Sequence, residues 1–189
     1  MRTLKTLALL ATVTGMAACS SLPVPGEDGQ DLTGQAGVYT LVNLHPDPIN
    51  FRLYATNYQQ AGFIPLCTEV TIVEAKNKRM EFTVNATGQT YYYFNHRSAA
   101  EPFDQHLKRF FGKTCNKDAV AKMSAIDRKG IASGKALEGM SKEAVVYALG
   151  IPPRHVTPSL ESDVWKYWAN RYDTFNVEFE NGKVSRIVN

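Results

Sequence analysis

Cysteine and histidine are the residue types in this chain best suited to chemistry, because thiolates and imidazoles serve as nucleophiles, bases and metal ligands. The chain has 3 cysteines and 4 histidines, with no His-x-x-x-His pair and no cysteine pair at metal-ligand spacing. It also lacks a glycine-rich phosphate loop, a nucleophile elbow and a zinc-protease motif. We therefore predict a protein that is not an enzyme and has no catalytic, cofactor-binding or metal-binding residues. A nucleophilic Cys67 or Cys115 paired with a histidine is the alternative, and it rests on composition alone.

The amino-terminal segment has the layout of a bacterial export signal. Two basic residues precede a short apolar core, and small residues then lead into a cysteine. These features are Arg2, Lys5, residues 7–13, Met16-Ala17-Ala18 and Cys19. The layout resembles a lipobox, which implies a signal peptide over residues 1–18, cleavage before Cys19 and acylation of Cys19 by chains such as palmitate. Ser20 at the next position, where Asp would favour inner-membrane retention, implies the outer membrane. The alternative is a plain secretory signal with an incidental cysteine.

Charge and hydropathy argue against nucleic-acid binding and against a membrane-spanning helix. The formal net charge is +3, and loss of Arg2 and Lys5 with the signal would reduce it by 2, to +1. A nearly neutral chain gives no electrostatic case for binding nucleic acid. No later apolar run approaches the roughly 20 residues that a membrane-spanning helix needs. We therefore expect attachment to the outer membrane through a lipid anchor alone.

Two cysteines remain if Cys19 carries lipid. Because the periplasm is oxidising, Cys67 and Cys115 are expected to form a disulfide. The bridge would connect the start of one strand to the end of a helix. Two buried free thiols are the alternative.

The mature chain divides into a tether and two modules. Residues 19–37 combine prolines, glycines and acidic residues with few apolar ones, which is typical of a flexible tether. Residues 38–115 form the first module, and residues 116–189 form the second. The overall fold class is therefore predicted to be α+β.

The first module is predicted to be rich in short antiparallel strands. Strand-like segments cover residues 38–43, 51–55, 67–74, 80–84 and 89–94, with turn signals between them. This spacing favours a small antiparallel barrel or curled sheet, with a likeness to SH3-type barrels. A helix is expected to begin at 101–102 and to end at Gly112, since four apolar residues then share one face. Those residues are Phe103, Leu107, Phe110 and Phe111, and we expect them to pack in the core.

The second module is predicted to combine two helices with three strands. One helix lies within residues 118–137, and another covers roughly 140–149, capped by Ser141 and ended by Gly150. Strands follow at 164–168, 175–179 and 183–187, and an Asn-Gly hairpin turn separates the last two. The pattern predicts an antiparallel meander packed on the helices.

The second module resembles the SmpA/OmlA lipoproteins, the BamE-like accessory subunits of the outer-membrane β-barrel assembly machinery. The resemblance covers the last third of the chain and is carried by Gly139, Met140, Val145, Leu149, Gly150, Pro152, Trp165, Tyr167, Phe179, Asn181, Gly182 and Val184. It implies a helix–helix unit on a three-stranded meander, and partners among the barrel-assembly subunits and anionic lipid. For this chain we expect envelope proteins, with barrel-assembly subunits among them, as partners. The same fold is similar to the repeat of a β-lactamase inhibitor protein, so the fold does not identify the partner.

These observations predict a periplasm-facing outer-membrane lipoprotein that supports envelope integrity or β-barrel protein assembly through protein contacts. A peptidoglycan- or peptide-binding lipoprotein and an inhibitor of a periplasmic hydrolase are the alternatives. Aromatic side chains often anchor interfaces, and Tyr92, Trp165 and Trp168 are the candidate interface residues.

Overall fold

The computed structural model describes residues 21–189 and contains two β-sheets and four helices within that range. The strands are β1 (Val38–Thr40), β2 (Arg52–Tyr54), β3 (Glu69–Lys76), β4 (Arg79–Val84), β5 (Thr90–Phe94), β6 (Phe111–Gly112), β7 (Val164–Trp168), β8 (Thr174–Glu180) and β9 (Lys183–Val188). The helices are α1 (Phe103–Leu107), α2 (Lys117–Ala121), α3 (Ala125–Ser133) and α4 (Lys142–Leu149). The predicted mixed α+β class is confirmed. The predicted signal peptide and the lipidation site Cys19 lie outside this range.

Strands β1 to β6 form one curled sheet in the order β2-β5-β4-β3-β1-β6. Strands β3, β4 and β5 form an antiparallel meander, as the alternating sequence predicts. The expectation of an entirely antiparallel sheet is wrong at one edge, where β2 pairs with β5 in parallel. This pairing is possible because β2 and β5 are not consecutive in the chain; two intervening strands reverse the direction before β5.

The segment predicted to be a flexible tether is packed against the first sheet from Leu22 onward. Val24 and Leu32 are fully buried, and the Leu22 amide donates to the carbonyl of Ala75 at 2.8 Å. Asp31 accepts a hydrogen bond from the Val24 amide at 2.9 Å and so closes a local loop. The prediction failed because two apolar residues are enough to dock a proline- and glycine-rich segment when a core face is open to them.

Helix α1 is shorter than predicted and ends at Leu107 rather than near Gly112. The four predicted core residues are indeed buried. However, the Phe110 carbonyl accepts a hydrogen bond from the Leu41 amide at 2.9 Å. Phe111, the first residue of β6, pairs with Thr40 of β1. Backbone pairing with β1 therefore replaces the last helical turn.

The disulfide between Cys67 and Cys115 is present, with 5.4 Å between the two Cα atoms. The Cys67 amide donates to the carbonyl of Thr40 at 2.8 Å, so the bridge lies beside the β1–β6 edge. It connects the segment after α1 to the start of β3 and closes a loop with a sequence separation of 48. The prediction of this cysteine pair is confirmed.

Helices α3 and α4 have the caps that their sequences favour. The side chains of Ser124 and Ser141 accept from the amides of Asp127 and Ala144, respectively. Asp127 also accepts from the Ser141 amide at 2.7 Å, so one carboxylate joins the two helix starts. Gly130 lies within α3 because a Cβ there would overlap the Met140 side chain. A glycine that weakens an isolated helix thus allows the two helices to approach closely.

Strands β7, β8 and β9 form the predicted antiparallel meander. Asn181 and Gly182 have φ values of 51° and 74°, as a two-residue hairpin turn requires. The meander packs on α3 and α4 through a second core that includes Met140, Val145 and Trp165. Within residues 21–189 no helix has both the length and the apolar character needed to cross a bilayer.

Candidate functional site

The two sheets meet at the carboxyl end of α4, where side chains from the first module bond to helix carbonyls. A helix leaves its last carbonyls without helical partners. Asn57 donates to the carbonyls of Leu149 (2.8 Å) and Ile151 (3.0 Å), and Gln59 donates to that of Leu149 (2.9 Å). These side chains satisfy carbonyls that would otherwise be buried without partners.

Two further residues from the loop after β1 complete this contact. Asn43 donates to the carbonyls of Ile131 (2.7 Å) and Ala148 (3.2 Å), and the Nε2 atom of His45 lies 3.0 Å from the Ala148 carbonyl. We call Asn43, His45, Asn57 and Gln59 the amide clamp. It joins the two modules through directional hydrogen bonds.

His45 serves in the clamp as a neutral donor. Burial lowers the pKa of His45, and its hydrogen bond to the Ala148 carbonyl only partly opposes that effect. A neutral imidazole carries one N–H. Since a carbonyl can only accept, the proton of the neutral ring must be on Nε2.

A cleft of about 380 Å³ opens beside the clamp, with walls from both modules. Its lining is His45, Gln59, Gln60, Ala61, Gly62, Phe63, Ser133, Gly134, Lys135, Ala136, Leu149, Phe175, Ile187 and Asn189. Phe63 is 43% exposed at the rim, and its ring centroid lies 5.9 Å from that of His45. The cleft therefore combines an apolar floor with an exposed aromatic edge.

Close packing at the cleft depends on Gly134, which ends α3 in the left-handed conformation with φ +63°. A Cβ at this position would lie 2.7 Å from the Phe63 ring and 2.8 Å from the His45 ring. In the structure Gly134 lets the two aromatic rings approach the end of α3.

The polar atoms of the cleft that lack partners are acceptors. The Oε1 atoms of Gln59 and Gln60 are buried and have no hydrogen-bond partner within residues 21–189. Buried amide oxygens without partners are costly. A ligand that supplies N–H groups together with an apolar side chain would satisfy both the amide oxygens and the apolar floor. An extended polypeptide segment has that chemistry.

A second polar cluster lies inside the first module and was not predicted. The Tyr93 hydroxyl lies 2.8 Å from Nε2 of His106, and Nδ1 of that ring lies 3.0 Å from the Glu101 carboxylate. Arg109 also pairs with Glu101. We call these four residues the Glu101 network. Tyr93 and His106 are 1% and 3% exposed, so the network is a core feature.

The protonation states in the Glu101 network follow from burial and charge. Burial raises the pKa of Tyr93, so its hydroxyl keeps its proton. Burial also lowers the pKa of His106, although Glu101 opposes this. For Glu101 burial acts to raise the pKa, but the hydrogen bond from His106 and the charge of Arg109 outweigh it and the pKa is lowered. The carboxylate is thus ionised and holds the imidazole in place.

The predicted interface residues have different environments. Tyr92 is half-buried, with the Arg79 guanidinium 4.8 Å from its ring centroid. Trp165 is only 1% exposed and packs on Phe179, so the expectation that it lies on an interface is wrong: its strand turns it into the second core. Trp168 is half-buried and stacks on His155.

Sequence reasoning missed both polar clusters, although one carried a signal. His106 lies three residues after Phe103 and four before Phe110, which places a histidine on an apolar helical face. Such a histidine needs a buried partner. The amide clamp has no comparable signal, because Asn43, Asn57 and Gln59 belong to loops without periodicity.

No protein-family model matches this chain, and no curated protein and no solved structure matches it significantly. Within residues 21–189 no group of three or more potential metal ligands is assembled.

Proposed function

We propose that this chain is an outer-membrane lipoprotein, anchored through acylated Cys19 and facing the periplasm, that acts through protein–protein contacts. Its role would be to support envelope integrity or the assembly of β-barrel outer-membrane proteins. The lipobox-like sequence before Cys19 supports the anchor. Ser20 after it supports the outer membrane as the destination.

The architecture of the second module supports a BamE-like unit. The resemblance implies two helices followed by a three-stranded meander, and α3, α4 and β7 to β9 occur in that order. Many of the residues that carry the resemblance are buried, including Met140, Val145 and Trp165. The short strands and curl of the first sheet support an SH3-like module in front of it.

The observation that carries the functional proposal is the cleft between the modules. Its apolar floor is next to an exposed Phe63 and to two amide oxygens that have no partner in the described part of the chain, residues 21–189. Exposed aromatic residues beside a concave apolar surface are typical anchors of protein interfaces. We infer that a partner protein binds at this cleft.

Crosslinking in intact cells tests this proposal with two matched variants. Phe63→Glu places a charge at the cleft rim, and Val73→Glu places the same charge on β3 at a site of similar exposure (43% and 49%). Proteins crosslinked to the tagged lipoprotein would be identified by mass spectrometry of purified outer membrane. We expect recovery of envelope proteins, barrel-assembly subunits among them, to fall for Phe63→Glu and to persist for Val73→Glu. Equal recovery in both variants would refute the cleft as the contact, and recovery of cell wall alone would refute the proposed role.

A further inference from the structure

A second concave site lies next to the Trp168 end of β7. It has a volume of about 240 Å³ and is lined by Thr56, Tyr58, His96, Ser98, His155, Trp168 and Arg171. We call it the His–Trp pocket. The Gln59 amide donates to the Trp168 carbonyl at 2.8 Å, which fixes the boundary between this pocket and the cleft. Tyr58 lines the pocket, whereas Gln59 lines the cleft.

Two polar groups of the pocket are buried without partners. Thr56 is only 3% exposed, and its hydroxyl has no hydrogen-bond partner among residues 21–189. The indole Nε1 of Trp168 is likewise buried and unpartnered in this range. An indole N–H can only donate, and a hydroxyl can donate as well. Both groups can therefore donate to an acceptor that a ligand brings into the pocket.

The charged groups of the pocket point to the same conclusion. His96, His155 and Arg171 can each carry positive charge, and no acidic residue belongs to the lining. Burial first, and then repulsion by the nearby His96, lower the pKa of His155. A negative charge between them would relieve that repulsion.

Aromatic side chains make the pocket suitable for more than a lone anion. The His155 ring lies nearly parallel to the Trp168 ring, at 23° and a centroid distance of 6.3 Å. Tyr58 pairs with Trp168 in an isolated parallel β-bridge. These rings can pack against an apolar side chain. The Arg171 guanidinium lies over the exposed Tyr172 ring, 4.4 Å from its centroid. Its planar donors match the two oxygens of a carboxylate.

We propose that the His–Trp pocket binds the carboxylate end of a peptide, with the last side chain against the aromatic rings. The carboxylate accepts hydrogen bonds from the Trp168 indole, the Thr56 hydroxyl and the Arg171 guanidinium. This site does not depend on the partner proposed at the cleft, and the two proposals can fail separately.

Nuclear magnetic resonance of the full chain in detergent tests the proposal directly. The chain has only 2 tryptophans, so the amide spectrum contains two indole N–H signals, and Trp168→Phe assigns them. The probe is N-acetyl-alanyl-phenylalanine with a free carboxylate, compared with the same peptide ending in an amide. We expect the peptide acid to shift the Trp168 signal, and the shift to saturate at about millimolar concentration. The peptide amide should leave the signal unchanged. The buried Trp165 signal serves as the internal reference for the fold.

Variants identify the groups that bind. Arg171→Gln should weaken binding of the peptide acid about tenfold, because a charged hydrogen bond is lost. Thr56→Val should weaken it about fivefold, because a neutral hydrogen bond is lost. Arg186→Gln, on the exposed face of β9, should leave binding unchanged. Any of three results would overturn the proposal: no shift of the Trp168 signal by the acid, equal shifts by acid and amide, or a shift produced only by inorganic phosphate or N-acetylglucosamine.

Discussion

The two sheets of this protein are stabilised by contacts of different range. In the first, β2 pairs with β5, the disulfide spans a sequence separation of 48, and the Glu101 network connects α1 to β5. In the second, three consecutive strands form a meander and each main helix has a serine cap. The first module therefore adds a few distant contacts to its local β3–β5 meander, whereas the three strands of the second sheet pair only with their neighbours in sequence.

This difference indicates where a substitution should have its effect. Removal of a long-range contact frees a large section of chain, whereas loss of one cap leaves the neighbouring bonds in place. The amide clamp stands between these cases, because it is long-range in sequence yet made of ordinary hydrogen bonds.

The largest effect is expected from the disulfide. The double variant Cys67→Ser with Cys115→Ser should lower the free energy of unfolding by about 4 kcal/mol, since the unfolded chain regains the freedom of a long loop. Urea unfolding measures the loss, and hydrogen exchange should accelerate more in β1, β3 and β6 than in the meander. Reduction of the unchanged protein is the control and should give a similar loss. Equal acceleration in both sheets would contradict the comparison.

The next largest loss of stability is expected from a substitution in the Glu101 network. Glu101→Ala removes the partner of both His106 and Arg109 and should cost about 3 kcal/mol, because a buried donor and a charge then lose their acceptor. Glu180→Ala, at an exposed position on β8, is the matched control and should change stability by less than about 0.5 kcal/mol. Thermal or urea unfolding compares the two. Similarly small losses of stability for both variants would mean that the Glu101 network contributes little to the stability of the fold.

Local features were the ones that the sequence predicted well. The caps at Ser141 and Gly150, the Asn181-Gly182 turn and the strands of the meander depend on neighbouring residues, and all were found where expected. Gly150 ends α4 with a φ of 75° and a ψ of 179°. The disulfide was predicted from redox compartment rather than from geometry.

Long-range features were the ones that the sequence did not predict. The parallel β2–β5 pair, the docking of residues 22–37 and the early end of α1 all depend on a partner far away in the chain. The cleft and the His–Trp pocket are each lined by residues from both modules. Trp168 was a candidate from its aromatic character, but no pattern connected it to Thr56 or His155.

The third prediction concerns the amide clamp. Asn57→Ala leaves the carbonyls of Leu149 and Ile151 without this donor and should lower the free energy of unfolding by about 2 kcal/mol. Because the clamp joins the two cores, the single unfolding transition should broaden or separate into two. Asn77→Ala, in the exposed turn between β3 and β4, is the control. A sharp, unchanged transition would show that the apolar contact alone couples the modules.

A smaller effect is expected from a local cap. Ser141→Ala removes the side-chain acceptor of the Ala144 amide and should cost about 1 kcal/mol. Ser185→Ala, on exposed β9, should cost less. Unfolding in urea measures both variants. A loss as large as that of the disulfide variant would remove the distinction between local and long-range stabilisation.

The final prediction uses pH to separate the two polar clusters from the carboxylates. Burial lowers the pKa of both His45 and His106 in the folded state from the usual 6.5. As the pH falls through 6.5, the unfolded chain takes up protons that the folded chain does not, so stability must decrease. Above that pH neither histidine contributes a dependence. His45→Gln keeps a donor for Ala148 but cannot titrate, and it should flatten the decline.

The lowered pKa of Glu101 acts in a different pH range and so does not obscure this test. Its stabilisation is present above the usual carboxyl pKa of 4.5 and is lost only as the pH falls below that value. The decline between about pH 6.5 and 5 therefore reports on the histidines. The pKa of His155 is lowered as well, but this residue is exposed, so His155→Gln should retain most of that decline. If His45→Gln retained it fully as well, His106 in the first module would be its source, and the clamp would be insensitive to pH.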